Sequence, residues 1–474
     1  MSDVYKMEVM LDESDPIKGK VLDCVGIGFG PANIALAISL EERGILDNTL
    51  FLEQSTYTDW NPEMLILGSD IQHNPLRDFV TPRDPTSKYG FLSYLKSKGR
   101  LFQFLNLDAP FPPRVEYAEY VKWVANQFSR HVRYLSTVTS IQTQGSGANT
   151  VYKVNSSDGR HLLSKTISYA TGRSPNIPQI YRQYLGSRVV HLTQYKSALE
   201  KWTTDSFINS IVVIGASQSA AEIILDLNSK FPERKITCIS RSFGFKLKDT
   251  SPFTEAIYEP EFVDYYFNAT DRNQKAMRSE LLHSNYSAAD HDVICSLQMR
   301  LYEQSVVNGN NLCLLNNKQV TNVVKRDNAG YRISLIDKHD NSSDTIEADA
   351  IVLATGFLNA GSNDDEETCP KLLRSISENC EKRKDGSLSL ARYYSLIKKD
   401  KNQAIEVSGI HLNGVCESTH GFGDAGSFSL LSIRSGHIAQ SIESKLRITP
   451  DISQGYIATP SQSPIAMEVP HDRL

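Results

Sequence analysis

No apolar run in this 474-residue sequence approaches the length of a membrane span, and no block of lysine or arginine interrupts it. A spanning helix needs roughly 20 mainly apolar residues, so a membrane protein is not expected. The formal net charge of −5 gives no basic footprint, which argues against nucleic acid or an anionic lipid surface as partner. The opening stretch MSDVYKMEVMLDESDPIKGK is polar and acidic and lacks the charged-then-apolar layout of a secretory leader; a cytoplasmic location is the expectation. Cysteine is sparse. Seven are scattered (Cys24, Cys238, Cys295, Cys313, Cys369, Cys380, Cys416) and no two form a C-x-x-C, which predicts reduced structural thiols. There is no internal repeat of solenoid length either.

What is present is ordinary for a globular chain, with 40% hydrophobic and 22% charged residues over a length that allows two or three domains. One theme occurs twice. VLDCVGIGFGPANIALAISLEERG (21–44) and SIVVIGASQSAAEIILDLNSKF (210–231) each run from a β-branched stretch through a small-residue turn into helical spacing. Each leads to another apolar run, TLFLEQ (49–54) and KITCISR (235–241). That is βαβ grammar repeated, so two nucleotide-binding units are predicted. Further strands are expected around TISYATG (166–172) and AIVLATG (350–356). The charged stretch 359–386 reads as an exposed excursion, and the unpatterned tail from Thr449 as a surface-draped end.

The two turns differ in chemistry. The first reads Gly26-Ile-Gly28-Phe-Gly30-Pro31. Its glycines permit a tight turn and close backbone approach to a pyrophosphate, and Pro31 suits a first helical position. Glu53, 23 residues past Gly30, can accept hydrogen bonds from a ribose diol. The second turn reads Gly215-Ala-Ser217-Gln218-Ser219, and its following strand ends in Arg241. A guanidinium suits a 2′-phosphate that a carboxylate would repel, unless Arg241 pairs with an acid instead. FAD is therefore expected at the first turn and NADPH at the second. Two ATG turns, Ala170-Thr171-Gly172 and Ala354-Thr355-Gly356, complete the pattern of a two-dinucleotide flavoprotein. The expected fold is α/β, with two Rossmann-like dinucleotide-binding domains and a small substrate-covering region. Residues 1–205 and 335–474 would form the FAD domain, and 206–334 the NADPH domain with a substrate-contacting segment 249–290.

From about residue 20 to about 445 the sequence resembles the flavin-dependent N-hydroxylating monooxygenases of siderophore biosynthesis, the ornithine and lysine N-monooxygenases. The resemblance rests on GIGFGPAN, the W-x-x-x-M of Trp60–Met64, RDPTSKYGFLSYLKSKGRL (83–101), RVEYAEYVKW (114–123), GASQSAAE, DTSPF (249–253), SNYS (284–287), ATGF (354–357) and THG (419–421). It implies NADPH reduction of FAD, reaction with O2 to a C4a-hydroperoxyflavin, and oxygen transfer to a primary amine, with no metal. It further implies that Gln72 and Arg114 lie near the flavin and nicotinamide, and that Trp60, Thr355 and Gly356 contact the cofactors. Asn285 would orient the reacting amine, Ser429 would close the pocket, and the chain would assemble as a homo-oligomer, a tetramer in relatives.

Two positions depart from the ornithine-specific pattern. A lysine and an asparagine that grip the substrate carboxylate there are Arg77 and Glu255 here. Arginine can hold a carboxylate bidentately. Glu255 would repel one unless it is paired or protonated. Either Arg77 and Glu255 neutralise one another, or Glu255 receives an ammonium. The second possibility suits an amino acid held at both ends, or a diamine such as putrescine or cadaverine. The stretch FGDAGSFSLLSIR (422–434) is also one residue longer than in ornithine-specific relatives. A Baeyer–Villiger or sulfide-oxidising flavin monooxygenase is a further alternative, because Tyr184-Leu-Gly186 with His191 and Tyr195 is a near miss to its motif. A disulfide reductase has no C-x-x-C to use.

Overall fold

In a computed structural model, residues 19–448 are described apart from 327–329, 365, 400–405 and 425–426. The tail from Thr449 lies outside the described residues. Both predicted βαβ units form. In the first, the strand Val21–Ile27 passes through Gly28–Gly30 into the helix Pro31–Glu42 and returns as Thr49–Leu52. The strands pair in parallel, Cys24 opposite Thr49 and Ile27 opposite Leu52. The second runs Ser210–Ile214, Gln218–Lys230, Lys235–Ile239, again parallel. The central strands are covered on both faces, so they read as continuous apolar runs rather than alternating ones.

Around each unit a sheet is built. The first contains, in order, Ser395–Lys398, Glu406–Leu412, His161–Tyr169, Val21–Ile27, Thr49–Leu52 and Val132–Arg133, with the hairpin Val138–Gln144/Val151–Ser156 branching from His161–Tyr169. The second is wholly parallel: Leu312–Leu315, Lys235–Ile239, Ser210–Ile214, Ala350–Leu353, Val189–His191. It therefore draws strands from either side of the 206–334 span. Three antiparallel strands, Lys318–Lys325, Tyr331–Asp337 and Ser343–Ala348, form a separate layer. The helices Pro260–Phe267 and Asp271–Glu280 lie within the 249–290 segment.

The stretch 359–386 departs from its expected exposure. Leu373 and Ile376 are buried in the same core as Val25 and Ile38, so the segment carries anchors spaced too irregularly for a periodic signal.

Candidate active site

The two ATG strands close the two dinucleotide turns in the same way. Ala170 N–H donates to Ile27 O and Ala354 N–H to Ile214 O, both at 2.9 Å. This brings the alanine carbonyls against the turn glycines. At Gly28 (φ +83°) an added Cβ would sit 2.5 Å from Ala170 O, and at Gly215 (φ +141°) it would strike Ala354 O. A side chain there meets both backbone strain and a backbone atom that cannot move aside.

The first turn fits a dinucleotide. Gly30 caps the helix in extended conformation with no side-chain hydrogen bond, and the space around its would-be Cβ is open. Pro31 has no amide proton and Asn33 N–H goes to Gly30 O at 3.1 Å, which leaves the Gly30 and Ala32 amides for an anion. Pro31 occupies the first helical position, and Gly26 packs against the Phe51 ring. Glu53 is drawn to the turn by Phe29 N–H (2.8 Å) and Ser55 N–H (2.9 Å). Asn33, a residue sequence reasoning passed over, is fully buried. It donates to Gly28 O at 2.7 Å and accepts from Ser168 Oγ at 2.6 Å, so its amide braces the turn from behind.

At the second turn Ser217 caps its helix without a side-chain bond, and no hydrogen bond to described residues engages the Ser219 side chain. Arg241 is exposed and pairs with no acid among the described residues; only its backbone carbonyl is engaged, by Lys338. Gln218 behaves differently. Its side chain accepts from Asp290 N–H (2.8 Å) and donates to Glu222 (2.9 Å), so it faces inward. Thr355 likewise donates to Asn176 O at 2.5 Å, and Gly356 O meets His191 Nε2 at 2.9 Å. Buried His191 and Tyr195 thus serve packing: the former holds an ATG turn, the latter donates to Asp226.

Gln218 is one link in a polar chain between the two units. Gln72 donates to Asp290 Oδ2 at 2.6 Å, and Lys248 Nζ holds the Gln72 carbonyl at 2.9 Å. Beyond Gln218, Glu222 grips Arg114 bidentately at 2.7 and 2.9 Å, while Arg114 also donates to Met64 O. Both partners of this pair are buried, and removing one would strand the other's charge. Asp70, beside the chain, is pushed up to about 6 by burial and by the negative charges of Asp292 and Asp290.

The third cluster unites the positions that depart from the ornithine pattern. Arg77 Nη1 meets Glu255 Oε2 at 3.0 Å and Ser429 Oγ at 3.4 Å, with its guanidinium 5.3 Å from the Tyr258 ring centre. The pair is about one-third exposed on the arginine side, so it remains reachable. Behind it, Phe428 stacks on His73 (5.4 Å) and meets Trp60 edge-on (5.5 Å). Burial, then the Lys248 and Arg77 cations, push His73 down to about 3, so this imidazole is neutral and no base at ordinary pH. The Ser429 loop is fastened by a fully buried ion pair, Asp424–Arg434, at 3.0 Å. Asn285 keeps its side-chain amide unbonded among the described residues. Its neighbour Tyr286 accepts from Arg173 Nη1 at 2.7 Å and donates to Glu417. Burial pushes Glu417 up to about 8, against the pull of Arg173 and of the Tyr286 bond.

The sequence-expected residues thus fall into three groups: the two turns, the Gln72–Arg114 chain, and the Arg77–Glu255–Ser429 cluster. Glu222, Asp290, Arg173 and Glu417 were not singled out. Glu222 and Glu417 are acidic residues inside stretches with no other acid, GASQSAAE and CESTHG, and that contrast was the available signal.

The chain is similar to known proteins over most of its length. The L-ornithine N(5)-monooxygenase of Burkholderia cepacia is 33% identical over 347 residues, 71% of this chain and 78% of the relative. That of Pseudomonas aeruginosa is 31% identical over 441 residues, 90% and 95% of the two. The solved structure of the Kutzneria sp. 744 ornithine N-hydroxylase, with reduced FAD, NADP+ and L-ornithine, superposes with a TM-score of 0.81 at 28% identity. The match covers 90% of this chain and 100% of that one. The family model for L-lysine 6-monooxygenase/L-ornithine 5-monooxygenase matches residues 20–359, which takes in both dinucleotide turns, the Gln72–Arg114 chain and the Arg77–Glu255 pair. The chain belongs to the L-lysine 6-monooxygenase/L-ornithine 5-monooxygenase family.

Proposed function

We propose that this chain is an FAD- and NADPH-dependent monooxygenase that hydroxylates the side-chain primary amine of an α-amino acid such as L-ornithine or L-lysine, in siderophore or related biosynthesis. The observation that carries the choice of substrate is the Arg77–Glu255 pair beside Ser429. A zwitterionic head group matches it at both ends, with its α-carboxylate on Arg77 and its α-ammonium on Glu255. A diamine would set a second cation beside Arg77, a like-charge contact that costs free energy.

Bound FAD, reduced by NADPH, supplies activation of O2 and delivery of one oxygen atom to nitrogen; the second atom leaves as water. The protein's own groups do the rest. The open helix start at Gly30 and the carboxylate of Glu53 hold the flavin dinucleotide, while Ser217, Ser219 and Arg241 hold NADPH. Gln72 and Arg114 are fixed in place by Asp290 and Glu222 where the two units meet. Asn285 takes up the reacting amine, and Ser429 closes the head-group pocket. The domains on this reading are about 19–175 with 357–448 for FAD, and about 189–353 for NADPH, following the strands of the two sheets.

Among the described residues no helix is long and apolar enough to cross a membrane. The reading includes a cytoplasmic location, supported by seven free thiols, and assembly of identical copies, for which exposed Phe102, Phe207, Phe243 and Phe253 offer apolar area. NADPH oxidation and hydroxylamine formation, measured side by side for ornithine, lysine, putrescine and cadaverine, test the function. NADPH consumption with no hydroxylated product from any of them would refute it. Product from the diamines alone would overturn the zwitterion assignment.

A further inference from the structure

The residue before Tyr286, Asn285, has a side chain that makes no hydrogen bond among the described residues. Asn285 lies on an irregular turn: the backbone leaves a short 3-10 helix at Ser284, and Ser287 adopts a left-handed φ of +55°. Such a conformation at a residue other than glycine persists only when its surroundings enforce it. On one side the turn is tied to the second dinucleotide unit, by Gln218 N–H to Ala288 O at 3.0 Å. On the other side it is tied by Asp249 N–H to His283 O at 3.0 Å and by the Tyr286 hydroxyl.

That hydroxyl is held from two distant parts of the chain, one of them braced by a third. Arg173, just past the first ATG turn, donates to it at 2.7 Å. Its proton goes to Glu417 Oε1. The second oxygen of Glu417 accepts from Asn359 Nδ2 at 2.9 Å, just past the second ATG turn. Glu417 is 3% exposed and faces a donor on each side. Above about pH 8, where Glu417 is ionised, its carboxylate answers both, whereas an amide would turn its own NH2 on one of them. Tyr286 also shares an apolar cluster with Tyr258, the ring beneath Arg77, so the turn borders the head-group pocket.

We propose that Glu417 is a positioning residue: through the Tyr286 hydroxyl it fixes the turn carrying Asn285, and with it the hold on the amine. The assignment of the amine to Asn285 rests on the function proposed above, but the clamp is testable apart from it.

The experiment, run at about pH 9 where Glu417 is ionised, compares the FAD-loaded wild type with Tyr286→Phe, Glu417→Gln and the double variant Glu417→Gln/Asn359→Asp, which exchanges carboxylate and amide between the same two positions. Tyr286→Phe is the mild arm should the buried glutamate be needed for folding. Amide hydrogen exchange over residues 282–290 is expected to quicken about tenfold in both single variants, the scale of one hydrogen bond, and to return toward wild type in the double. L-Ornithine binding by calorimetry is expected to weaken about tenfold in step, while flavin content and the rate of flavin reduction by NADPH stay within about twofold. Unchanged exchange and ornithine affinity in both single variants would overturn the proposal, as would loss of flavin reduction in proportion to amine binding. Exchange that responds as expected in a protein hydroxylating no amine would leave the clamp standing and refute the proposed function instead.

Discussion

The two dinucleotide turns share one backbone and diverge in side chains. Both begin with a glycine pressed against the carbonyl of an ATG alanine, and both start a helix with no side-chain cap. At the first turn the polar groups brace from behind or from the strand end: Asn33 holds Gly28, and Glu53 is fixed by two backbone amides. At the second, Gln218 and Glu222 on the helix reach forward to Asp290 and Arg114. The first turn is a self-contained holder, whereas the second also fastens the two units together. On the function proposed above, the same local geometry therefore serves a resident cofactor in one place and a coupling element in the other.

The largest effect should come from breaking the turns themselves. Gly28→Ala adds a strained φ and a contact at 2.5 Å, costing on the order of 3 kcal/mol locally. The purified variant is expected to lack the flavin's visible absorption. Gly215→Ala is expected to keep the flavin and lose its reduction by NADPH; if it too emerged colourless, the two holders would not be independent.

Arg241→Ala tests what separates the sites chemically. Losing a charge-assisted phosphate contact is worth roughly 2 to 3 kcal/mol. The KM for NADPH should rise by about 30- to 150-fold, with NADH scarcely affected. Equal loss for both nucleotides would assign Arg241 to something other than the 2′-phosphate.

Glu255→Asn probes the pocket beyond both turns. Freed of its partner, Arg77 should bind any carboxylate, so 5-aminopentanoate should gain about tenfold on ornithine in kcat/KM. An unchanged ranking would remove Glu255 from substrate recognition.

The smallest effect concerns the junction. Asp70 has a folded-state value of about 6 against an ordinary 3.8, so the folded chain holds its proton more tightly than the unfolded chain does. That contribution is complete below about pH 4 and lost as the pH rises through about 6. Asp70→Asn should flatten this part of the pH dependence in urea unfolding, and parallel profiles for variant and wild type would contradict the assignment.

Much of this was legible in the chain because it is local. A β-branched run, a glycine at a fixed offset and an acid at the next strand's end are contiguous, and each has one backbone solution. The Arg77–Glu255 pair was foreseen as one of two outcomes, since the chemistry of two altered positions can be read without their distance. The polar chain was not foreseen: Gln72 and Asp290 lie 218 positions apart, and no periodicity links them. Nor was the anchoring of 359–386, where three buried residues, Leu373, Ile376 and Cys380, in a polar stretch leave no pattern.

The sequence by itself determined two βαβ units, the unlike chemistry of their turns and the family, because turn chemistry and strand burial are written within about 30 residues. Only the tertiary structure decided that the ATG turns close those units, that Gln218 faces inward, and that Glu417 stands behind Tyr286. Those arrangements depend on which buried donors and acceptors meet. A buried polar group must find a partner somewhere in the fold, and nothing in its own neighbourhood says where.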